Sequence, residues 1–161
     1  MTDFLRVIVF SDSHGMLKNA LKALKEAGKV DLILHAGDYY RDALKLADGA
    51  GLPYRAVRGN CDRFAEGDDE ELIELAGHRV LLTHGHLIEP GRWYEGLLAR
   101  AGKCGAGTVV FGHTHMVEVI REAGVLLFNP GSISKPRAGQ QPSYGILEIG
   151  GAGIRPCIYR V

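Results

Sequence analysis

An α/β fold is predicted for this chain, and three observations predict it. Apolar runs rich in β-branched residues recur along the 161 residues, each of strand length. In the first half they alternate with stretches of helical apolar spacing, the strand–helix–strand grammar of a parallel sheet with covering helices. In the second half, closely spaced runs are separated by glycine turns, which reads as a mainly antiparallel region.

Phe4 to Phe10 is apolar except for Arg6 and reads as a buried strand, followed by the loop Asp12-Ser13-His14-Gly15. Met16 to Lys29 reads as a helix with Leu17, Ala20, Leu21, Leu24 and Ala27 on one face and Gly28 as its stop signal. Asp31 to His35 is a second buried strand with Gly37-Asp38 as its outgoing loop. A short helix over Arg41 to Asp48 is ended by Gly49 and Gly51, and Pro53 to Val57 is the third strand. Glu71 to Leu75 and Arg79 to Thr83 flank Gly77-His78 as a hairpin. Arg92 to Ala101 is the last helix, bounded by Gly91 and Gly102. Thr108 to Phe111, Val117 to Arg121 and Val125 to Phe128 are strands, with Gly124 turning the last two. Asn129-Pro130-Gly131-Ser132 opens a loop that runs to Pro142. Tyr144 to Ile149 and Ile154 to Val161 close the chain as a hairpin.

This length suits a single domain over 1–161, large enough to bury a proper core. The 19 basic and 19 acidic residues balance, which argues against broad nucleic-acid or membrane-surface binding. Cys61, Cys104 and Cys157 are odd in number and show no paired spacing, so a reducing, cytoplasmic setting is expected. No signal peptide is expected, and no apolar stretch reaches membrane-spanning length.

Five polar motifs stand at strand ends: Asp12-Ser13-His14, Gly37-Asp38, Gly59-Asn60-Cys61-Asp62, His84-Gly85-His86 and Gly112-His113-Thr114-His115. Singly, each has an ordinary explanation as a capping carboxylate, a turn or a polar loop. Together they supply carboxylate, carboxamide and imidazole groups enough for two metal ions, and paired ions about 3.5–4 Å apart are a standard device for in-line phosphoryl hydrolysis. Asp12 and His14 are two residues apart, as are His113 and His115; on an extended segment such side chains point the same way. Asp38 has two oxygens with which to bridge two ions. Hard oxygen plus borderline imidazole suits Mn²⁺, Fe²⁺, Co²⁺, Ni²⁺ or Zn²⁺ better than Ca²⁺.

In this order the motifs resemble those of the calcineurin-like metallophosphoesterase superfamily. Val57-Arg58-Gly59-Asn60-Cys61-Asp62 and Asn129-Pro130-Gly131-Ser132 make the chain most similar to its small bacterial and archaeal phosphodiesterases, from Val7 to about Arg137. The resemblance implies a four-layer α/β/β/α sandwich of two mixed sheets with a dinuclear centre at the strand ends. It implies one ion held by Asp12, His14, Asp38 and His115 and a second by Asp38, Asn60, His84 and His113, with Mn²⁺ the first choice of metal. Larger relatives carry a histidine, able to protonate the leaving group, where this chain has Cys61. A thiol of ordinary pKa about 8.5 fits that task less well at neutral pH. Cys61 is therefore expected to be a small residue buried under the site, and His86 becomes a candidate proton donor.

Several residues invite simpler readings. His35 is expected to be a hydrogen-bonded core histidine and His78 an exposed turn residue. Lys135 and Arg137 are expected to be solvated loop charges, and Trp93 and Tyr94 packing residues; Tyr39, Tyr40 and Arg41 are placed on the rim. The expected function is hydrolysis of a small phosphate ester, foremost a phosphodiester, by a metal-bound hydroxide attacking phosphorus in line. A phosphomonoesterase is the nearer alternative. A non-catalytic scaffold like the retromer small subunit is the other, and it is distinguished by a degraded ligand set. Homo-oligomer formation stays open.

Overall fold

The computed structural model describes residues 4–63 and 66–161. In chain order the elements are β1 (Leu5–Phe10), α1 (Lys18–Ala27), β2 (Leu32–His35), α2 (Tyr40–Ala50), β3 (Tyr54–Ala56), β4 (Glu70–Leu75), β5 (His78–Thr83), α3 (Trp93–Cys104), β6 (Thr108–Val110), β7 (Val117–Glu122), β8 (Val125–Pro130), β9 (Ser143–Gly150) and β10 (Gly153–Arg160). They form two five-stranded sheets, ordered β10-β9-β1-β2-β3 and β4-β5-β6-β8-β7.

Alternation along the strands builds the layers. Val7 and Val9 of β1 and Leu32 and Leu34 of β2 point toward the second sheet, where they meet Val80, Leu82, Val110, Leu126 and Phe128. Ile8, Phe10 and Ile33 point the other way, onto Ala20 and Ala23 of α1 and Leu46 and Ala47 of α2. On the far face of the second sheet, Leu81, Val109 and Leu127 pack against Leu97 and Ala101 of α3. The result is the expected α/β/β/α sandwich of two mixed sheets.

Some boundaries and faces differ from the sequence reading. The second half is less antiparallel than expected, because β5, β6 and β8 pair in parallel and only the edge strands β4 and β7 run against them. The α3 crossover provides the long connection that parallel neighbours β5 and β6 need. The antiparallel β9 and β10 return to the first sheet instead. On α1, Ala23 replaces Leu21 on the buried face, and Leu21 is 54% exposed. At 100° per residue Leu21 lies about 90° from the centre of that face. Helices α2 and α3 run through Gly49 and Gly102 and end at Gly51 and Gly105, both left-handed, with their N–H groups on Ala47 O and Ala101 O. One interior glycine costs a helix only about 1 kcal/mol, so the αL cap decides the end.

The β4–β5 turn lies at Ala76-Gly77, both at positive φ, so His78 begins β5 and is not an exposed turn residue. Its Nε2 meets Gly150 O at 2.8 Å. Asn129 and Pro130, read as loop, finish β8 opposite Glu118 and Val117.

Candidate metal centre

All six parallel-paired strands, β1, β2, β3, β5, β6 and β8, end at one rim of the sandwich. Ligands bind outside the carboxyl ends of such strands, and here each of those ends carries a polar motif. Backbone bonds tie the loops together: Asp12 N–H donates to Gly37 O at 2.9 Å, and Gly112 N–H to His84 O at 3.2 Å.

The first group of donors is Asp12, His14, Asp38 and His115, whose ligating atoms all lie within 4.8 Å of one another. His115 Nε2 is 3.2 Å from Asp12 Oδ1, and His14 Nε2 is 3.6 Å from Asp38 Oδ2. The second group surrounds Asn60 Oδ1, which lies 2.9 Å from His84 Nε2 and 3.2 Å from His113 Nδ1. His113 Nδ1 is also 3.3 Å from His84 Nε2, which is 3.4 Å from Asp38 Oδ1. Ligands about 2.1 Å from one ion sit about 3.0–3.4 Å apart, so the second group has the spacing of a coordination shell. Asp38 presents a different oxygen to each group.

The backbone reaches this arrangement by strain rather than by extended alternation. Asp12, His14, Asp38, His113 and His115 all have positive φ, between 49° and 72°. The same-face argument for the Asp12/His14 and His113/His115 pairs therefore fails: left-handed turns aim these side chains. Non-glycine residues in this region are uncommon and cluster at functional sites. Two glycines permit the close approach. A Cβ on Gly59 would collide with the Asp38 carboxylate, and one on Gly112 with Ser11 Oγ and Asp12.

A supporting layer fixes the orientation of the donors. Ala36 O accepts from His84 Nδ1 at 2.7 Å, and Lys135 O from His115 Nδ1 at 2.5 Å, leaving both Nε2 lone pairs turned into the site. Ser11 Oγ donates to Asp12 Oδ2 at 2.6 Å, and Cys61 N–H to Asp38 Oδ1 at 3.0 Å. Ser132 and Ser134 hydroxyls both donate to Asp12 O at 2.8 Å. Asn129 Nδ2 holds Gly112 O and Thr114 Oγ1, each at 3.1 Å. Asp62 accepts from Tyr39 N–H, Tyr40 N–H and Gly59 N–H, each at 2.9 Å. It thereby caps α2 and joins the Asp38 loop to the Asn60 loop. These supports went unread in the sequence, because Ser and Asp next to a motif have no distinguishing pattern.

His35 is fully buried, as expected of a core histidine. Gly37 N–H donates to its Nδ1 at 3.1 Å, so Nε2 donates to Ser13 Oγ at 2.8 Å, and that hydroxyl donates to Asp42 Oδ2 at 2.7 Å. Burial pushes His35, His14 and His113 below the ordinary imidazole pKa. Burial also raises the Asp12 carboxyl, but the adjacent His115 and His84 imidazoles and the Ser11 hydroxyl outweigh it and hold Asp12 low. The Asp12 carboxylate, 3.2 Å from its Nε2, pushes His115 up. Neutral His14 and His113 beside an ionised Asp12 are in the protonation state that binds metal.

A bound cation fits this geometry on two counts. Asp12 Oδ1 and His14 Nε2 are buried without a hydrogen-bond partner, a costly arrangement for groups facing other acceptors. The donor set, oxygen and imidazole without thiolate, is that of borderline divalent ions.

Cys61 is a correction: it is exposed rather than buried under the site. Its N–H donates to Asp38 Oδ1 at 3.0 Å and its Sγ lies 3.8 Å from Asn60 Nδ2; burial first, then the Asp38 charge, raises its pKa. His86 is half-buried, its ring 5.4 Å from that of His84, with Nδ1 unpartnered. Burial lowers its pKa. Tyr39 lies on the rim as expected, 43% exposed and 5.3 Å from the His14 ring. Trp93 packs between Phe111 and His113 at 5.7 and 6.0 Å. Tyr94 is a surface residue and not a packing one; its hydroxyl donates to Glu118 and its pKa is pushed up to about 12. Lys135 is an exposed loop charge, whereas Arg137 Nε donates to Thr114 O at 2.8 Å. A groove of about 880 Å³ runs along α3, larger than the cavity of about 320 Å³ beside Asn60 and His86, but among the described residues it gathers no comparable cluster of donors.

The model of the calcineurin-like phosphoesterase superfamily domain matches residues 5–152. The probable metallophosphoesterase YsnB of Bacillus subtilis is 38% identical over 149 residues, covering 90% of this chain and 85% of that protein. The phosphodiesterase YfcE of Escherichia coli is 37% identical over 101 residues, covering 58% of this chain and 51% of YfcE. A conserved predicted phosphoesterase from Streptococcus pneumoniae superposes with a TM-score of 0.83 at 30% identity, over 99% of this chain and 91% of that one. Vacuolar Protein Sorting 29 from Cryptosporidium parvum reaches a TM-score of 0.82 over 98% of this chain and 92% of its own, but at 18% identity, a likeness of fold alone. With donors from five strand ends at one rim, and a match running from β1 into the final hairpin, this chain belongs to the calcineurin-like phosphoesterase superfamily.

Proposed function

We propose that this protein is a cytoplasmic, metal-dependent phosphodiesterase with two divalent ions per chain, Mn²⁺ foremost. The observation that carries the two-ion reading is Asp38, with Oδ1 turned to His84 at 3.4 Å and Oδ2 turned to His14 at 3.6 Å. Asp12, His14, Asp38 and His115 would hold one ion, and Asp38, Asn60, His84 and His113 the other. Such ions, when bound, polarise phosphoryl oxygens and lower the pKa of water to supply the nucleophile.

The chain's own residues do the rest. Ala36 O and Lys135 O fix two imidazoles in the ligating tautomer, so little reorganises when substrate enters. His86, unpartnered at Nδ1 beside the second group, is positioned to pass a proton toward a departing oxygen. Cys61, where larger relatives carry histidine, supplies no comparable acid at neutral pH. Burial holds His86 below the ordinary imidazole pKa, so it is a weakly populated acid at neutral pH; a leaving group that carries its own charge is thus preferred, which favours aryl diesters over alkyl monoesters. YfcE, named a phosphodiesterase, supports the same choice. Three free cysteines suit the reducing cytoplasm.

The scaffold reading is weaker because all seven donors are present and converge. The discriminating experiment is a grid of Mn²⁺, Ni²⁺, Co²⁺, Zn²⁺ and Mg²⁺ against an aryl diester, an aryl monoester and cyclic nucleotides. Preference for the diester is expected. Preference for the monoester overturns the diesterase assignment, and silence across the grid in two-ion protein favours the scaffold.

A further inference from the structure

Beside the second donor group lies a cavity of about 320 Å³ that the two-ion reading does not use. Asn60 and His86 form the wall it shares with the metal centre, and Arg58, Gly59, Asp62, Arg63 and Asp69 form the remainder. The two carboxylates are already engaged. Asp62 accepts three backbone N–H groups, and Asp69 is paired with Arg58 at 3.0 Å through one nitrogen of the guanidinium. The donors are not exhausted. Arg58 Nε is buried with no partner, and Arg63 is exposed. A small polar cavity with unspent donors and spent acceptors calls for a ligand rich in acceptor oxygens. Guanidinium groups match phosphate oxygens through two parallel bonds.

We propose that this cavity is the subsite for the second substituent of the diester, and that Arg58 and Arg63 select substituents bearing a further anionic group such as phosphate. The inference rests on the phosphodiesterase reading and names its substrate class: a diester with a second phosphate on the retained alcohol. Asp69 acts as a gatekeeper that the incoming anion displaces from Arg58. Until then it holds the guanidinium in place.

The test uses the Mn²⁺-reconstituted full chain and two p-nitrophenyl esters of thymidine 5′-phosphate, one with and one without a 3′-phosphate. The 3′-phosphorylated ester is expected to have about tenfold higher kcat/KM, expressed in KM. Arg58→Ala and Arg63→Ala reduce that ratio to below about threefold, whereas Asp69→Asn, which frees Arg58, increases it. A merely structural Arg58–Asp69 pair would make Arg58→Ala and Asp69→Asn act alike. Calorimetry of thymidine 3′,5′-bisphosphate against thymidine 5′-monophosphate reads the subsite without catalysis and shows the same ratios. Equal affinities and equal kcat/KM in the unaltered protein overturn the subsite while leaving the esterase intact. So does a preference that survives both arginine substitutions or falls instead with Lys135→Ala. If no ester is hydrolysed yet the bisphosphate preference follows Arg58, the subsite stands and the esterase reading falls.

Discussion

Asp38 carries more of this site than any other residue. It sits at positive φ, accepts the Cys61 N–H, and turns one oxygen to each donor group. Asp38→Ala is therefore expected to abolish tight binding at both ion positions, while His86→Ala, whose Nδ1 has no partner in either group, weakens Mn²⁺ binding less than about threefold. Calorimetric titration of the two variants checks this, and equal losses would mean that the ligands of His84-Gly85-His86 are misplaced. Gly59→Ala probes the same carboxylate from behind. Its methyl group would push Asp38 aside, so Mn²⁺ affinity is expected to fall at least about tenfold with the chain still folded, as read by titration and circular dichroism. The sequence disclosed which side chains gather here but not how their backbones turn. Positive φ at an Asp or His leaves no local signature, and the alternation argument for Asp12 and His14 reached the right pair by the wrong geometry.

Among the elements, α2 depends on a residue outside it. Its N-cap, Tyr39, offers no side-chain acceptor, and Asp62 from the following loop takes the Tyr39 and Tyr40 N–H groups. Asp62→Ala strips three charge-assisted bonds from a carboxylate only 8% exposed. A loss of about 3 kcal/mol is expected in urea unfolding, with metal affinity falling in parallel as the Asp38 and Asn60 loops separate. Unchanged stability would show that water replaces the carboxylate there. Strand and helix types were legible because buried strands read as apolar runs and helices as one-sided stripes. The hairpin at Ala76-Gly77 was misread by one residue, since alanine is a rare occupant of a left-handed turn position. The α3 end at Gly105 was missed because Gly102 competed as a stop signal, whereas for α2 both Gly49 and Gly51 were read and Gly51 alone is the cap.

At the scale of the whole molecule, the two sheets meet over one apolar layer and bring their parallel strand ends to a common rim. In the proposed centre, donors from both sheets would share each ion position: Asp12, His14 and Asp38 come from the first sheet and His115 from the second. Bound ions thus clamp the sheets together, and chelation is expected to lower Tm by about 10 °C, from about 5 kcal/mol of linkage for two ions at a hundredfold excess over Kd. Differential scanning calorimetry with and without chelator reads this shift; no change would mean that the rim is held by hydrogen bonds alone. The division of the donors between two ions came from family resemblance, and no spacing in the sequence carries it. It is also the feature that elemental analysis of chelated and Mn²⁺-reconstituted protein tests most directly. Saturation at two ions per chain is predicted, and saturation at one, with none gained on adding more Mn²⁺, would contradict the dinuclear centre.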